Sequence, residues 1–111
     1  MSASADRCAT SCWRACRSLL RALSNLDELA VFQEPVDTAV VVDYLRVISR
    51  PMDFSTMRRA LYAAGHGEGY ADVDALLADF ALLCENATRY NPRGTVWHDA
   101  ARKLRARGAH L

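Results

Sequence analysis

Apolar residues recur at helical spacing along nearly all of the chain. In the first segment Cys12, Cys16, Leu19, Leu23 and Leu26 follow at intervals of three and four, with Arg14, Arg17 and Arg21 opposite. That stripe predicts one amphipathic helix over about residues 6–29. Over residues 30–53 the pattern breaks, because Pro35, the β-branched run Val40, Val41, Val42 and Pro51 leave no 3.6-residue stripe. So long a loop inside a compact domain is uncommon and is usually functional. A short helix is expected over 54–64, capped by Asp53 or Ser55, with Met57, Ala60, Leu61 and Ala64 inward and Gly65-His66-Gly67 as its stop. The third helix, 72–90, has Asp72 as N-cap and a stripe of Val73, Leu76, Leu77, Phe80, Leu83, Cys84 and Ala87. Pro92 disfavours helical geometry at Asn91 and ends it. Thr95 is placed to cap the last helix, 95–107, with Trp97, Ala100, Ala101 and Leu104 as its inner face. No strand pattern or internal repeat competes. The fold class is therefore all-α, a four-helix bundle with a long loop between its first two helices.

Composition fits this picture. The 111 residues suit a single domain over 1–111, large enough for a core without metals or disulfides. A hydrophobic share of 51% with 24% charged residues is that of a globular protein, and only five Gly and three Pro argue against collagen-like or disordered chains. The longest apolar run, Ala39-Val40-Val41-Val42, falls far short of the ~20 residues of a membrane span. No secretory signal is seen at the start, so an intracellular protein is expected. The net charge of +1 is unevenly spread. Arg7, Arg14, Arg17 and Arg21 make the start basic, Arg102, Lys103, Arg105 and Arg107 the end, and the middle holds the acidic excess. Basic termini suit a polyanion, and an acidic middle suits a basic ligand such as a histone tail. Cys8, Cys12 and Cys16 form one helical stripe with Cys84 far away. Lacking close Cys pairs or a nearby His pair, they read as core packing rather than a metal site.

Two irregular segments carry the candidate chemistry. The long loop holds Phe32, Pro35, Val36, Val41 and Tyr44, and the turn between the last two helices holds Tyr90 and Asn91, with Trp97 a helical turn further on. In a bundle of alternating helix direction both fall at one end. Apolar walls with one amide and one phenol describe a small pocket for an uncharged ligand bearing a carbonyl.

At this point the chain resembles the bromodomain family. The resemblance rests on Phe32-Gln33-Glu34-Pro35-Val36, Asp43-Tyr44-Leu45-Arg46-Val47-Ile48 and Pro51-Met52-Asp53-Phe54-Ser55-Thr56-Met57. It continues through Tyr70, Asp79-Phe80 and Asn86-Ala87-Thr88-Arg89-Tyr90-Asn91 to Ala100-Ala101-Arg102-Lys103-Leu104, in that order and at fitting gaps. It implies a left-handed four-helix bundle of antiparallel helices whose long loop walls an acetyl-lysine pocket. By position, Asn91 is implied to donate its amide to the acetyl carbonyl, and Tyr44 to reach the same oxygen through an ordered water. Val36, Val41 and Phe32 would line the aliphatic wall, Tyr90 and Asn86 the back and floor, and Trp97 would gate the mouth. On the residues alone, Asn91 also suits a helix C-cap, and Tyr44 and Trp97 suit the core.

The chemistry fits the implied ligand. Acetylation removes the lysine charge and leaves a methyl and a carbonyl acceptor. An unmodified ammonium would be desolvated there with no carboxylate expected to receive it. The sequence departs from many bromodomains at Ala30-Val31-Phe32, where Trp-Pro-Phe is frequent, so the aromatic shelf beside the pocket is missing. Leu45 stands in place of a frequent second tyrosine. The expected function is a non-catalytic module that binds acetylated lysine on histone tails in a nuclear chromatin protein, monomeric as an isolated domain and without cofactor. The alternative is a degenerate bromodomain that docks nucleic acid or a partner through its basic termini. No phosphate loop, nucleophile–base pair or HExxH pattern argues for an enzyme.

Overall fold

The structure is a computed structural model that describes residues 3–63 and 69–111, with side chains described for 12–63 and 69–111. Its five helices are α1 (Ala3–Asn25), α2 (Tyr44–Val47), α3 (Phe54–Tyr62), α4 (Val73–Tyr90) and α5 (Val96–Gly108). Among the described residues there is no strand, and no helix is long and apolar enough to cross a membrane.

Capping residues explain most of the boundaries. The Asp53 carboxylate accepts from the Thr56 N–H, Asp72 from Ala75 and the Thr95 hydroxyl from His98, so α3, α4 and α5 each begin just after an N-cap. Asn91 leaves α4 in extended geometry, as the following Pro92 requires. The end of α1 differs from expectation: it stops at Asn25 rather than near 29. Continuing the helix to 29 would need the Ala30 N–H to bond back to the Leu26 carbonyl, but it goes to the Asp27 carbonyl at 3.0 Å. The Asp27 side chain takes the N–H groups of Val31 and Phe32, and Ala30, just before them, sits at a positive φ of 53°. The expected loop 30–53 contains the single turn α2, which turns both Tyr44 and Ile48 into the interior. The third element, α3, ends at Tyr62, short of 64. The expected inward Ala64 and the Gly65-His66-Gly67 stop lie outside the described residues, as does the Cys8 side chain.

One core joins the helices. Trp13, Cys16, Leu20 and Leu23 of α1 meet Phe54, Met57 and Leu61 of α3, with Leu76, Phe80, Leu83 and Cys84 of α4 and Leu104 of α5. Trp13 and Leu20 were not in the predicted stripe. The Trp13 indole N–H donates to the Leu61 carbonyl at 3.1 Å, and the Arg58 guanidinium reaches the Ser24 hydroxyl, so α1 and α3 run antiparallel. Burial pushes the Cys16 thiol up to about 11 and the Cys84 thiol up to about 12. In α4 the stripe is narrower than predicted, since Leu77 is exposed. The inner face of α5 departs from expectation at its start. It is His98, Ala101 and Leu104 that are buried, whereas Trp97 is 52% exposed. Trp97 shares a helical face with Ala101, Leu104 and Gly108 but stands in the first turn of α5, at the cavity rather than over the core, while at the far end a Cβ on Gly108 would lie 2.6 Å from the Phe80 ring.

Candidate functional site

The long loop is pinned at three places by residues that are mostly polar. At its start, Asp27 is nearly buried, and its carboxylate accepts from the Val31 N–H at 3.2 Å, the Phe32 N–H at 2.9 Å and the Gln33 amide at 3.0 Å. The Phe32 and Gln33 carbonyls then accept from the N–H groups of Phe54 and Ser55, both at 3.0 Å. These are the first two donors of α3, which no intrahelical acceptor could satisfy, so the loop completes the helix and the helix fixes the loop. In the middle, the Tyr90 hydroxyl donates to Asp43 at 2.6 Å. At the end, the Asn86 amide donates to the Arg50 carbonyl at 2.8 Å. The Arg50 guanidinium pairs with the buried Asp79 carboxylate at 3.1 Å, which also accepts from the Tyr70 hydroxyl at 2.7 Å.

Between this loop and the α4–α5 junction lies a cavity of about 390 Å³. Phe32, Val36 and Val41 of the loop, Tyr44 of α2, Tyr90 and Asn91 at the end of α4, and Trp97 of α5 all line it. Seven of the eight expected residues therefore meet around one space. The eighth, Asn86, does not line it. Its side chain is buried and committed to the Arg50 carbonyl, so it holds the loop end instead of forming the floor.

The sequence reading also missed part of the wall. Leu83 and Ala87 line the cavity, two turns and one turn before Asn91 on the same face of α4; their spacing makes that legible, though apolar residues there equally suit the core. Val31 and Met52 are lining residues too. So are two acidic residues, Glu34 and Asp53, against the expectation of a wall without a carboxylate. Asp53 is occupied by the Ser55 and Thr56 side chains and the start of α3, while Glu34 is exposed.

Donors and acceptors in the cavity are few and oriented. The Asn91 side-chain amide donates to the Ala87 carbonyl at 2.9 Å. An amide nitrogen carries two N–H groups, so one fixes the plane and the other remains to donate. Tyr44 is buried, and burial raises its hydroxyl above the ordinary phenol value. The Tyr90 hydroxyl is raised as well, first by its hydrogen bond to Asp43. Both phenols therefore keep their protons at neutral pH, and their rings pack at 4.8 Å between centroids. Among the described residues no His/Cys/Asp/Glu group is arranged to hold a metal ion.

Comparison with known proteins places this geometry. Residues 16–103 match the family model of the bromodomain. The chain is 41% identical over 95 residues to human bromodomain and PHD finger-containing protein 3, covering 86% of this chain and 8% of that protein. It is 38% identical over 97 residues to a Drosophila melanogaster bromodomain-containing protein homolog, covering 87% of this chain and 6% of that one. The chain thus spans less than a tenth of the length of these curated relatives. A hypothetical bromodomain of Trypanosoma brucei, solved in complex with bromosporine, superposes with a TM-score of 0.84 at 29% identity, over 99% of this chain and 91% of that one. A Leishmania donovani bromodomain complexed with the same compound gives 0.76 at 33% identity, over 86% and 77%. This chain belongs to the bromodomain family.

Proposed function

We propose that the cavity binds the acetylated side chain of a lysine, with Asn91 donating its second amide N–H to the acetyl carbonyl. The observation that carries this reading is the Asn91 amide itself, held in plane by the Ala87 carbonyl at the wall of a largely apolar space. Bromodomains generally read acetyl-lysine in chromatin proteins, and two structural neighbours hold a small-molecule ligand. Tyr44, with its proton kept by burial, reaches the same carbonyl through a bridging water, which binds nearly as well as a direct hydrogen bond. Phe32, Val36 and Val41 cover the aliphatic stem. Trp97, exposed at the opposite wall, covers the side left open by Ala30 and Val31.

Acetyl is preferred to the bare ammonium because the donors converge on an acceptor. Glu34 is the one wall carboxylate not engaged by the fold, and it is exposed, where water screens its pull on an ammonium. It is better placed to meet basic residues flanking the acetylated lysine. Asp37 and Asp43 are exposed on the same loop, so a histone tail suits the mouth and a nuclear location follows.

The test is an NMR titration with singly and multiply acetylated histone-tail peptides, beside unmodified twins. Shifts should concentrate at Tyr44, Asn91, Trp97 and the loop. Asn91→Ala should cost about 1–3 kcal/mol, or roughly 5- to 150-fold in affinity. Equal responses to acetylated and unmodified peptides would overturn the assignment.

A further inference from the structure

On the other side of the α4–α5 hairpin lies a second concavity, of about 530 Å³, lined by Thr88, Arg93, His98, Arg102, Arg105 and Ala106. It shares no lining residue with the acetyl-lysine cavity. Three of its six residues are arginines, all exposed, and none of the three is paired with a carboxylate among the described residues. The Thr88 hydroxyl donates within its own helix, to the Cys84 and Glu85 carbonyls, so the groove offers guanidinium donors almost alone. Like charges gathered without counter-charge repel one another, and an anion between them removes that repulsion.

A second observation points the same way. His98 forms part of this wall and is 7% exposed, yet its Nδ1 has no hydrogen-bond partner among the described residues. The Asp99 carboxylate stands 3.9 Å away, too far for a hydrogen bond. Buried side-chain nitrogens are nearly always satisfied, and an orphan beside a polar cavity marks a place where a ligand or solvent completes the set.

We infer that this groove binds the phosphodiester backbone of duplex DNA. The arrangement of the cations favours a polymer over an isolated phosphate group. Arg102 and Arg105 are neighbours on one face of α5, and Arg93, from the turn that joins α4 to α5, adds a third cation to the same groove. Repeated charge of one sign along an open groove suits a linear polyanion with one charge per 3.4 Å of each strand. A phosphopeptide would place neutral or acidic residues against the same arginines. No base edge need be read, so binding is independent of sequence.

The 111-residue chain is titrated with two unrelated 12-base-pair duplexes, followed by backbone and His98 imidazole resonances. Expected are shifts at Thr88, Arg93, His98, Arg102 and Arg105 with both sequences. Three phosphate contacts give a log–log salt slope of about −2.7, so affinity falls about 40-fold between 50 and 200 mM salt. The Arg102→Gln/Arg105→Gln variant should flatten the slope to about −0.9 while keeping the spectrum of the folded chain. Arg93→Gln alone should lower its magnitude by about 0.9. DNA shifts that map to Arg14, Arg17 and Arg21, or that survive the double variant, would overturn the assignment. So would a phosphoserine peptide that fills the groove where DNA gives no shift, which would give the site to phosphopeptides.

Discussion

Asn86 and Asn91 lie five residues apart on the same motif, and the structure gives them separable jobs. Removing the Asn86 side chain, as Asn86→Ala, leaves the Arg50 carbonyl without its 2.8 Å donor at a position where Asn86 is only 7% exposed. Water cannot readily replace a donor there, so the loss is the desolvation cost of an unsatisfied polar group, about 1–3 kcal/mol. A chain of 111 residues has an unfolding entropy of about 0.23 kcal/mol/K near 60 °C, which turns that cost into a Tm drop of about 4–13 °C. The Asn91 amide is partly exposed, and the Ala87 carbonyl it bonds also accepts the Asn91 backbone N–H. Asn91→Ala should therefore lower Tm by only about 2–4 °C, from about 0.5–1 kcal/mol. Peptide affinity should reverse the order: Asn91→Ala loses a ligand contact, while Asn86→Ala weakens binding less than about tenfold through a looser loop end. Differential scanning calorimetry and peptide titration on both variants measure the two columns of this comparison. An Asn86→Ala protein with the parent Tm and no acetyl-peptide binding would refute the reasoning, because it would place Asn86 against the ligand after all.

Other perturbations follow from the same network of contacts. Asp27→Asn keeps the shape but exchanges one of its two acceptor oxygens for a donor that faces N–H groups. It should cost about 1.5–3 kcal/mol and speed amide exchange at Val31 and Phe32 more than elsewhere; uniform exchange rates would remove Asp27 as the anchor. Gly69→Ala should be far worse than Gly94→Ala in thermal unfolding. Both sit at positive φ, at a cost of about 1–3 kcal/mol to an alanine, but only at Gly69 would the new Cβ lie 2.5 Å from a backbone oxygen. Equal losses would show that the close approach of Gly69 to α3 is absent in solution. In alkali, the raised thiols of Cys16 and Cys84 bind their protons more tightly folded than unfolded, where an ordinary thiol titrates near 9.0. Their contribution is full below about pH 9 and is lost as the pH rises through 11 to 12. The urea midpoint should fall across that window, and less so in a Cys84→Ala variant; a flat profile would contradict the buried thiols.

What the sequence made legible depended on whether a residue's role follows from its own helix. The stripes of α1 and α4 and the caps at Asp53, Asp72 and Thr95 are local, so their positions could be read from spacing and residue type. Burial at the start of α5 was not, because it depends on where the core ends rather than on helical face: Trp97 shares the face of the buried Ala101 and Leu104 and still lies exposed at the cavity. That is why Trp97 was expected inside and His98 was passed over. Asp27 was likewise invisible: nothing about an acidic residue after a helix says that three donors from the next segment will fold back on it. In the site, residue types and their order identified seven lining residues. The eighth, Asn86, does not line the cavity and bonds the Arg50 carbonyl, and in sequence a buried amide looks the same whether it binds a ligand or a backbone carbonyl.

The register of α5 connects the two concavities. One residue along a helix is a rotation of about 100°, so Trp97 and His98, adjacent in sequence, look out on different sides of the hairpin. The same holds on α4, where Ala87 faces the cavity walled by the long loop and Thr88 the basic groove. The Thr95 hydroxyl accepts from the His98 N–H and thereby fixes where α5 starts, while Gly108 fixes how it packs at the other end. Between those two constraints the helix has a single rotation that places an aromatic wall on one face and arginines on the other. A histone tail and the DNA around which histones sit carry opposite charge, and a reader that met both would need its acidic and basic surfaces apart. Here Glu34 lines one cavity, with Asp37 and Asp43 exposed on the same loop, and Arg93, Arg102 and Arg105 line the other, so each ligand would approach a surface of complementary charge without crossing the other's field at close range.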